Sequence, residues 1–191
     1  MHADVGTVKA LKVLGGYLKQ TVGWRLSCRR ERAEDRWDVW TDSDHWGDKD
    51  LVRSSRSGLL VRLNGVPVHW RSTVQKANAL SPAEAEIYAL SEGARDARQV
   101  HWVADEMGVT VPSGPLVVHV DNKQVESFCG ETCARSKLRG CFDLREQWVE
   151  ELRNINILKV KWVDTKENLA DFFTKCFVKK DFLSKRASIL T

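Results

Sequence analysis

Four acidic residues, Asp42, Glu86, Asp121 and Asp171, are the side chains in this sequence whose type and placement could do chemistry together. Hydrolysis of a phosphodiester needs an activated water and a counter-charge for the scissile phosphate, and two divalent ions roughly 3.5–4 Å apart supply both. Magnesium is a hard cation that takes oxygen ligands, and manganese can stand in for it. A group of Asp and Glu side chains on rigid elements is what such a site requires. Without metal, the carboxylates would repel one another and at least one pKa would rise.

Each acid also has an ordinary reading. Asp42 is followed by Asp44 and Asp48 and could be a turn acid. Glu86 stands one turn into a helix beside Glu84, and Glu84 already has a structural job as partner of Ser81 in a capping box. Asp121-Asn122 could simply cap the next helix. Asp171, between Ala170 and Phe172-Phe173, has an unusual neighbourhood for a surface acid. Their joint placement on a strand end, a crossover helix, an adjacent strand end and a last helix is what favours a shared site.

Other chemistries have less support. His69, His101 and His119 sit in or beside apolar runs and read as core or surface residues; His45 is close enough to Asp42 and Asp44 to touch the same site. There is no Gly-x-Ser-x-Gly elbow and no phosphate-cradling glycine loop. The five cysteines are odd in number and irregular in spacing, which speaks against a disulfide framework and for a reducing compartment. Cys129, Cys133 and Cys141 lack a fourth ligand at a zinc spacing and read as free thiols.

The elements that must position the acids can be read from periodicity. Residues 5–20 carry Val8, Leu11, Leu14 and Leu18 at helical spacing, weakened by Gly15-Gly16, and 21–36 read as a weak strand entering a loop. A strand runs through Trp37-Asp38-Val39-Trp40-Thr41-Asp42. Strands at 59–63 and 66–70 flank Asn64-Gly65, a strong hairpin signal. Ser81-Pro82-Ala83-Glu84 starts a helix that runs to about Met107, where Gly108 stops it; Ala83, Ile87, Leu90, Ala94, Ala97 and Val103 suit its buried side. The apolar run 116–120 fits a buried parallel strand. Helices are expected near 122–128 and 138–152, a strand at 157–163, a helix at 168–177 and a basic tail beyond. A right-handed crossover would then set the strand ending at Asp42 beside the strand ending at Asp121, at the carboxyl edge where open α/β sheets build their sites.

At 191 residues the chain suits one compact domain with short extensions, and 42% hydrophobic content with eight tryptophans argues against disorder. A net charge of +4 is compatible with a polyanionic partner and does not demand one. Basic residues cluster at Arg25, Arg29, Arg30 and Arg32, and again at Lys175, Lys179, Lys180, Lys185 and Arg186, as a solvated surface or a phosphate track. No signal peptide and no transmembrane run is evident, so no membrane partner is expected.

Several blocks resemble one family. Thr41-Asp42-Ser43-Asp44-His45-Trp46-Gly47-Asp48, then Arg53-Ser54-Ser55-Arg56-Ser57-Gly58, Trp70-Arg71-Ser72 and Gln75-Lys76, resemble in order the ribonuclease H region of copia-type retrotransposon polyproteins. Ala79-Leu80-Ser81-Pro82-Ala83-Glu84-Ala85-Glu86-Ile87-Tyr88-Ala89-Leu90-Ser91-Glu92 is similar to that family's most recognisable block. Asp121-Asn122, Asp143-Leu144-Arg145 and Thr165-Lys166-Glu167-Asn168-Leu169-Ala170-Asp171-Phe172-Phe173-Thr174-Lys175 complete a collinear series over about 5–178. Tyr17-Leu18-Lys19 looks like the end of the preceding reverse transcriptase region. There are departures: Pro82 replaces a small polar residue, Gly140-Cys141 stand where Lys-His is usual, and Asp164 stands where proline is usual.

The resemblance implies a ribonuclease H-like α/β fold, a mixed five-stranded sheet of an antiparallel meander plus parallel strands flanked by helices. It implies an endonuclease that cuts the RNA strand of RNA–DNA hybrids with two magnesium ions held by Asp42, Glu86, Asp121 and Asp171, and it selects Glu86 over Glu84. Nucleic-acid contacts are expected from Asn122, Lys123, Arg53, Arg71 and Lys76. The loop before Asp171 has no histidine to match the general acid of cellular ribonucleases H. The expected division is an N-terminal helix and linker over 1–35, a ribonuclease H-like domain over 36–178 and a basic tail over 179–191. The expected setting is intracellular, cytoplasmic or nuclear, or organellar if a host has adopted the sequence. Two other functions fit the same residues: a non-catalytic structural or RNA-binding subunit of a ribonucleoprotein, and a DNA nuclease or integrase-like enzyme.

Overall fold

A computed structural model describes residues 5–26, 36–45, 54–76, 78–110, 112–128 and 144–190. The elements in order are α1 (Val5–Thr21), β1 (Trp37–Asp44), β2 (Arg56–Leu63), β3 (Val66–Val74), α2 (Pro82–Glu106), β4 (Leu116–Val120), α3 (Lys123–Phe128), α4 (Leu144–Asn154), β5 (Leu158–Trp162), a short 3₁₀ helix (Leu169–Phe173) and α5 (Lys179–Leu190).

The five strands form one mixed sheet in the order β3-β2-β1-β4-β5. The meander β1-β2-β3 is antiparallel, and β4 and β5 run parallel to β1. The β2–β3 hairpin turns at Asn64 (φ 54°) and Gly65 (φ 85°), two successive positive-φ residues whose twist matches that of the strands they join.

Helix α2 covers one face of the sheet. Ser81 caps it, accepting from Glu84 N at 3.1 Å, and Pro82 fills the first position. The Glu84 carboxylate accepts from Leu80 N at 2.6 Å, so this acid is committed to the helix start. Ala85 and Ala89 are buried, and Leu90, Ala94 and Ala97 share one core cluster with Trp37, Val39, Leu59, Val61, Val118 and Val120. Gly93 permits the contact, because a Cβ there would lie 2.4 Å from Thr41 Cγ2. Val103, expected on the buried side, is exposed like Trp102 and Met107, so the apolar stripe ends before the helix does.

The opposite face carries a buried polar pair. His119 Nε2 meets Asp38 Oδ1 at 2.9 Å, and Trp40 stacks on the imidazole at 4.8 Å between centroids. Burial works against the Asp38 charge, but the bonds from His119 and Arg36 outweigh it and hold the carboxyl below its usual range. The structure thus confirms His119 as a core residue.

Two segments differ from the sequence expectation. Residues 168–177 do not form an α-helix. The Asn168 amide donates to Thr41 O (3.0 Å) and its oxygen accepts from Ala170 N (3.1 Å), which pins the segment to β1 and tightens it into a single 3₁₀ turn. The chain after it is no loose tail: α5 docks through Phe182 on Phe172 (5.1 Å) and Tyr17 (5.7 Å), while Arg62 donates to Ser188 O. Helix α1 buries none of its residues and leaves Val5, Leu11, Val13, Leu14 and Leu18 exposed. No helix among the described residues is long and apolar enough to cross a membrane. Cys28, Cys129, Cys133 and Cys141, Arg53, and the N-terminal part of the helix expected at 138–152 lie outside the described residues; Cys176 is an exposed free thiol.

Candidate active site

Asp42 lies near the end of β1, opposite Gly58 of β2. The parallel register pairs Asp38 with Val117 and Trp40 with His119, so Asp121, the first residue beyond β4, comes up beside Asp42. The Trp162 indole donates to Asp121 O at 3.1 Å and ties that strand end to β5. The 3₁₀ turn delivers the third acid. A Cβ on Gly58 would lie 2.7 Å from Ala170 O, so glycine is what lets this turn approach the sheet. Asp42, Asp121 and Asp171 each then offer a carboxylate oxygen within 4.8 Å of the other two.

Glu86 joins from the first turns of α2. Its Oε1 accepts from Ser43 N (3.1 Å) and Ser43 Oγ (3.0 Å), while Oε2 is buried with no hydrogen-bond partner. Burial, and next the charges of Asp42 and Asp121, push the Glu86 carboxyl up to about 8. Burial also lifts Asp42 to about 6, against the pull of Lys175 and Thr174. These are carboxylates held together at a price in repulsion, as a cation-binding site requires.

Cationic and hydroxyl groups face the same acids. Thr174 Oγ1 donates to Asp42 Oδ2. Lys175 Nζ lies 2.5 Å from Asp171 Oδ1 and 3.3 Å from Asp42 Oδ1, and Lys185 Nζ lies 3.0 Å from Asp171 Oδ2. Burial opposes the Lys175 charge, but Asp42 and Asp171 outweigh it and raise its pKa.

Sequence reasoning named the four acids and missed Ser43, Asn168, Thr174, Lys175 and Lys185 as their supports. The spacing of four between Asp171 and Lys175 was the one available signal. The expected nucleic-acid residues are dispersed. Asn122 caps α3 by accepting from Gln124 N (2.9 Å), and Lys123 lies over the Trp162 ring at 4.6 Å. Arg71 pairs with Asp96 (3.1 Å) and Glu92 (3.6 Å). Arg71 and Lys76 both line a cavity of about 550 Å³ with Tyr88, Arg95, Arg145 and Trp148. His45 turns to Ala79 O at 3.3 Å.

The sequence is 30% identical over 143 residues, 75% of this chain, to the retrovirus-related Pol polyprotein of the transposon TNT 1-94 from Nicotiana tabacum. The N-terminal ribonuclease H domain of a Mycobacterium tuberculosis protein, solved as a fusion with maltose-binding protein, superposes with a TM-score of 0.52 over 81% of this chain and 99% of that one, at 15% identity. This is a ribonuclease H-like domain related to retrotransposon Pol polyproteins. The ribonuclease H-like domain spans about 10% of the Nicotiana polyprotein. It is also 39% identical over 89 residues, 47% of the chain, to secreted RxLR effector protein 161 of Plasmopara viticola, and spans 61% of that protein. No family model matches the sequence.

Carboxylate oxygens make up the whole donor set, which suits a hard divalent cation. The buried, unpartnered Glu86 Oε2, under the influence of Asp42 and Asp121, is the observation that fits such an ion, since a cation would satisfy an oxygen that the protein leaves bare.

Proposed function

We propose that this ribonuclease H-like domain is an endoribonuclease of retrotransposon origin that hydrolyses the RNA strand of RNA–DNA hybrids by two-metal-ion catalysis. The observation that carries this reading is the convergence of carboxylate oxygens of Asp42, Asp121 and Asp171 within 4.8 Å, with Glu86 outside that group but buried where the charges of Asp42 and Asp121 act on it. Magnesium, or manganese in its place, would be held by these four acids, and when bound it would supply an activated water and neutralise charge on the scissile phosphate.

The chain's own residues do the positioning. Ser43 fixes one oxygen of Glu86 and leaves the other buried without a partner. Thr174 orients Asp42, and Asn168 holds the 3₁₀ turn that carries Asp171. Arg71 and Lys76, with Arg53, Asn122 and Lys123, are the proposed nucleic-acid contacts, and a hybrid would be read by groove shape and 2′-hydroxyls rather than by base edges. The unit proposed to do this spans 36–178, with α5 packed on it. In a longer polyprotein, the exposed apolar side of α1 would meet a reverse transcriptase region.

The test is incubation of labelled RNA–DNA hybrid, duplex DNA and duplex RNA with the protein and magnesium. Cleavage confined to the RNA of the hybrid supports the reading. Cleavage of duplex DNA alone would make it a DNA nuclease. An intact hybrid at high protein concentration, together with co-purification in a ribonucleoprotein, would make it a non-catalytic subunit.

A further inference from the structure

Two ammonium groups share one carboxylate at the centre of the site, and they are held in different ways. Lys185, on α5, is 15% exposed; besides Asp171 Oδ2 it reaches Asn168 O at 2.8 Å and Thr165 O at 3.5 Å. Two main-chain carbonyls of the loop that carries Asp171 therefore fix its position, and through it α5 is bound to the 3₁₀ turn. Lys175 is 36% exposed, and among the described residues the bonds its ammonium makes go to carboxylate oxygens alone, Asp171 Oδ1 and Asp42 Oδ1. Its four-carbon stem is flexible and the side chain is partly exposed, so the ammonium has water within reach, where it is strongly hydrated.

Taking the four acids as metal ligands, as proposed above, we infer that Lys175 is a resident counter-cation: its ammonium bridges Asp42 and Asp171 in the metal-free protein, and a divalent ion binds by exchange with it, while Lys185 stays as the fixed anchor of Asp171. Three carboxylates with oxygens within 4.8 Å of one another repel when charged. A tethered cation removes that repulsion without closing the site, because it can swing out when a doubly charged ion arrives. Lys185 is held more firmly, since its departure would strip two carbonyls and break one of the contacts that hold α5. The exchange has a consequence for affinity: the divalent ion must displace an ion pair before it binds, so the site works at a higher metal concentration than four acids alone would set.

The experiment is a calorimetric titration of the full chain with manganese chloride at constant ionic strength, for the wild type, Lys175→Met and Lys185→Met. The expected result is that Lys175→Met binds manganese more tightly by roughly three- to tenfold and melts at a lower temperature without metal, while Lys185→Met gains no affinity. Unchanged or weaker binding by Lys175→Met overturns the exchange, and so does an equal gain in both variants, which would show only long-range charge. Amine labelling of the wild type, read by mass spectrometry, needs no variant: Lys175 should become more reactive when manganese is added and Lys185 should not, and equal labelling of Lys175 in both states contradicts the exchange. Hybrid cleavage by the wild type is scored separately. Manganese binding without cleavage removes the functional reading and leaves the exchange standing; cleavage with no gain in Lys175→Met removes the exchange alone.

Discussion

Glu86 accepts two hydrogen bonds from Ser43 through one carboxylate oxygen and leaves the other buried and bare. This links the end of β1 to the start of α2 and sets a charge where the protein alone does not want one. Glu86→Gln should therefore stabilise the metal-free protein above pH 8, raising its melting temperature by about 2–8 °C, because a neutral amide removes the burial and repulsion that lift this acid. Calorimetric melting in a chelator checks this; an unchanged or lower melting temperature would mean that the carboxylate is not strained. The same variant should lose metal-dependent cleavage.

The raised acids also fix the sign of a pH effect. Asp42 and Glu86 are both lifted by folding, to about 6 and about 8. Protons then bind the folded state more tightly than the unfolded one. The stability these groups contribute is complete below their ordinary pKa values near 4 and is lost as pH rises through the folded values. Metal-free protein should lose stability between about pH 4 and 8, and saturating magnesium should flatten that decline. Melting curves across this range with and without magnesium give the comparison, and parallel curves would contradict a metal site here.

Gly58 is where the site is most sensitive to a single methyl group. A Cβ there meets Ala170 O and Thr174 Cγ2, both at 2.7 Å. Gly58→Ala should push the 3₁₀ turn off the sheet, destabilise the fold by about 1–3 kcal/mol, and weaken metal binding by displacing Asp171. Chemical denaturation together with a metal titration tests both effects, and full stability with normal metal binding would refute the close approach.

Asn168 is fully buried and bonded at both ends of its amide. Asn168→Ala leaves Thr41 O without its side-chain donor and should cost about 1–3 kcal/mol. Asn168→Asp should fare no better, since it offers no donor to Thr41 O and adds a negative charge beside the acidic cluster. Equal stability of wild type and Asn168→Ala in urea would rule this role out.

Much of the sheet was legible because its signals are local. The Asn64-Gly65 hairpin, the Ser81-Pro82 helix start and the apolar run ending at Asp121 each fix an element by short-range rules, and the parallel pairing of β1 with β4 follows from the crossover between them. What could not be read depends on contacts between distant segments. Residues 179–190 mix Phe182, Leu183, Ile189 and Leu190 with four basic residues and read as a basic tail, yet Phe182 docks on Phe172 and Lys185 reaches Asp171. The 3₁₀ turn follows from Asn168 bonding Thr41 O across the fold, which no periodicity encodes. Val103 failed as a core residue because helical spacing continues where the sheet beneath no longer covers it.

The central claim is that the acids gathered around Asp42 and Asp121 form a metal-dependent nuclease site. Its most direct measurement is cleavage of an end-labelled RNA–DNA hybrid by wild type and Asp121→Asn, with magnesium and with a chelator. The account predicts magnesium-dependent cutting of the RNA strand by the wild type, and a loss of roughly a hundredfold or more in Asp121→Asn while its fold, read by circular dichroism, is kept. Cleavage by Asp121→Asn at the wild-type rate, or cleavage that persists in the chelator, would contradict it.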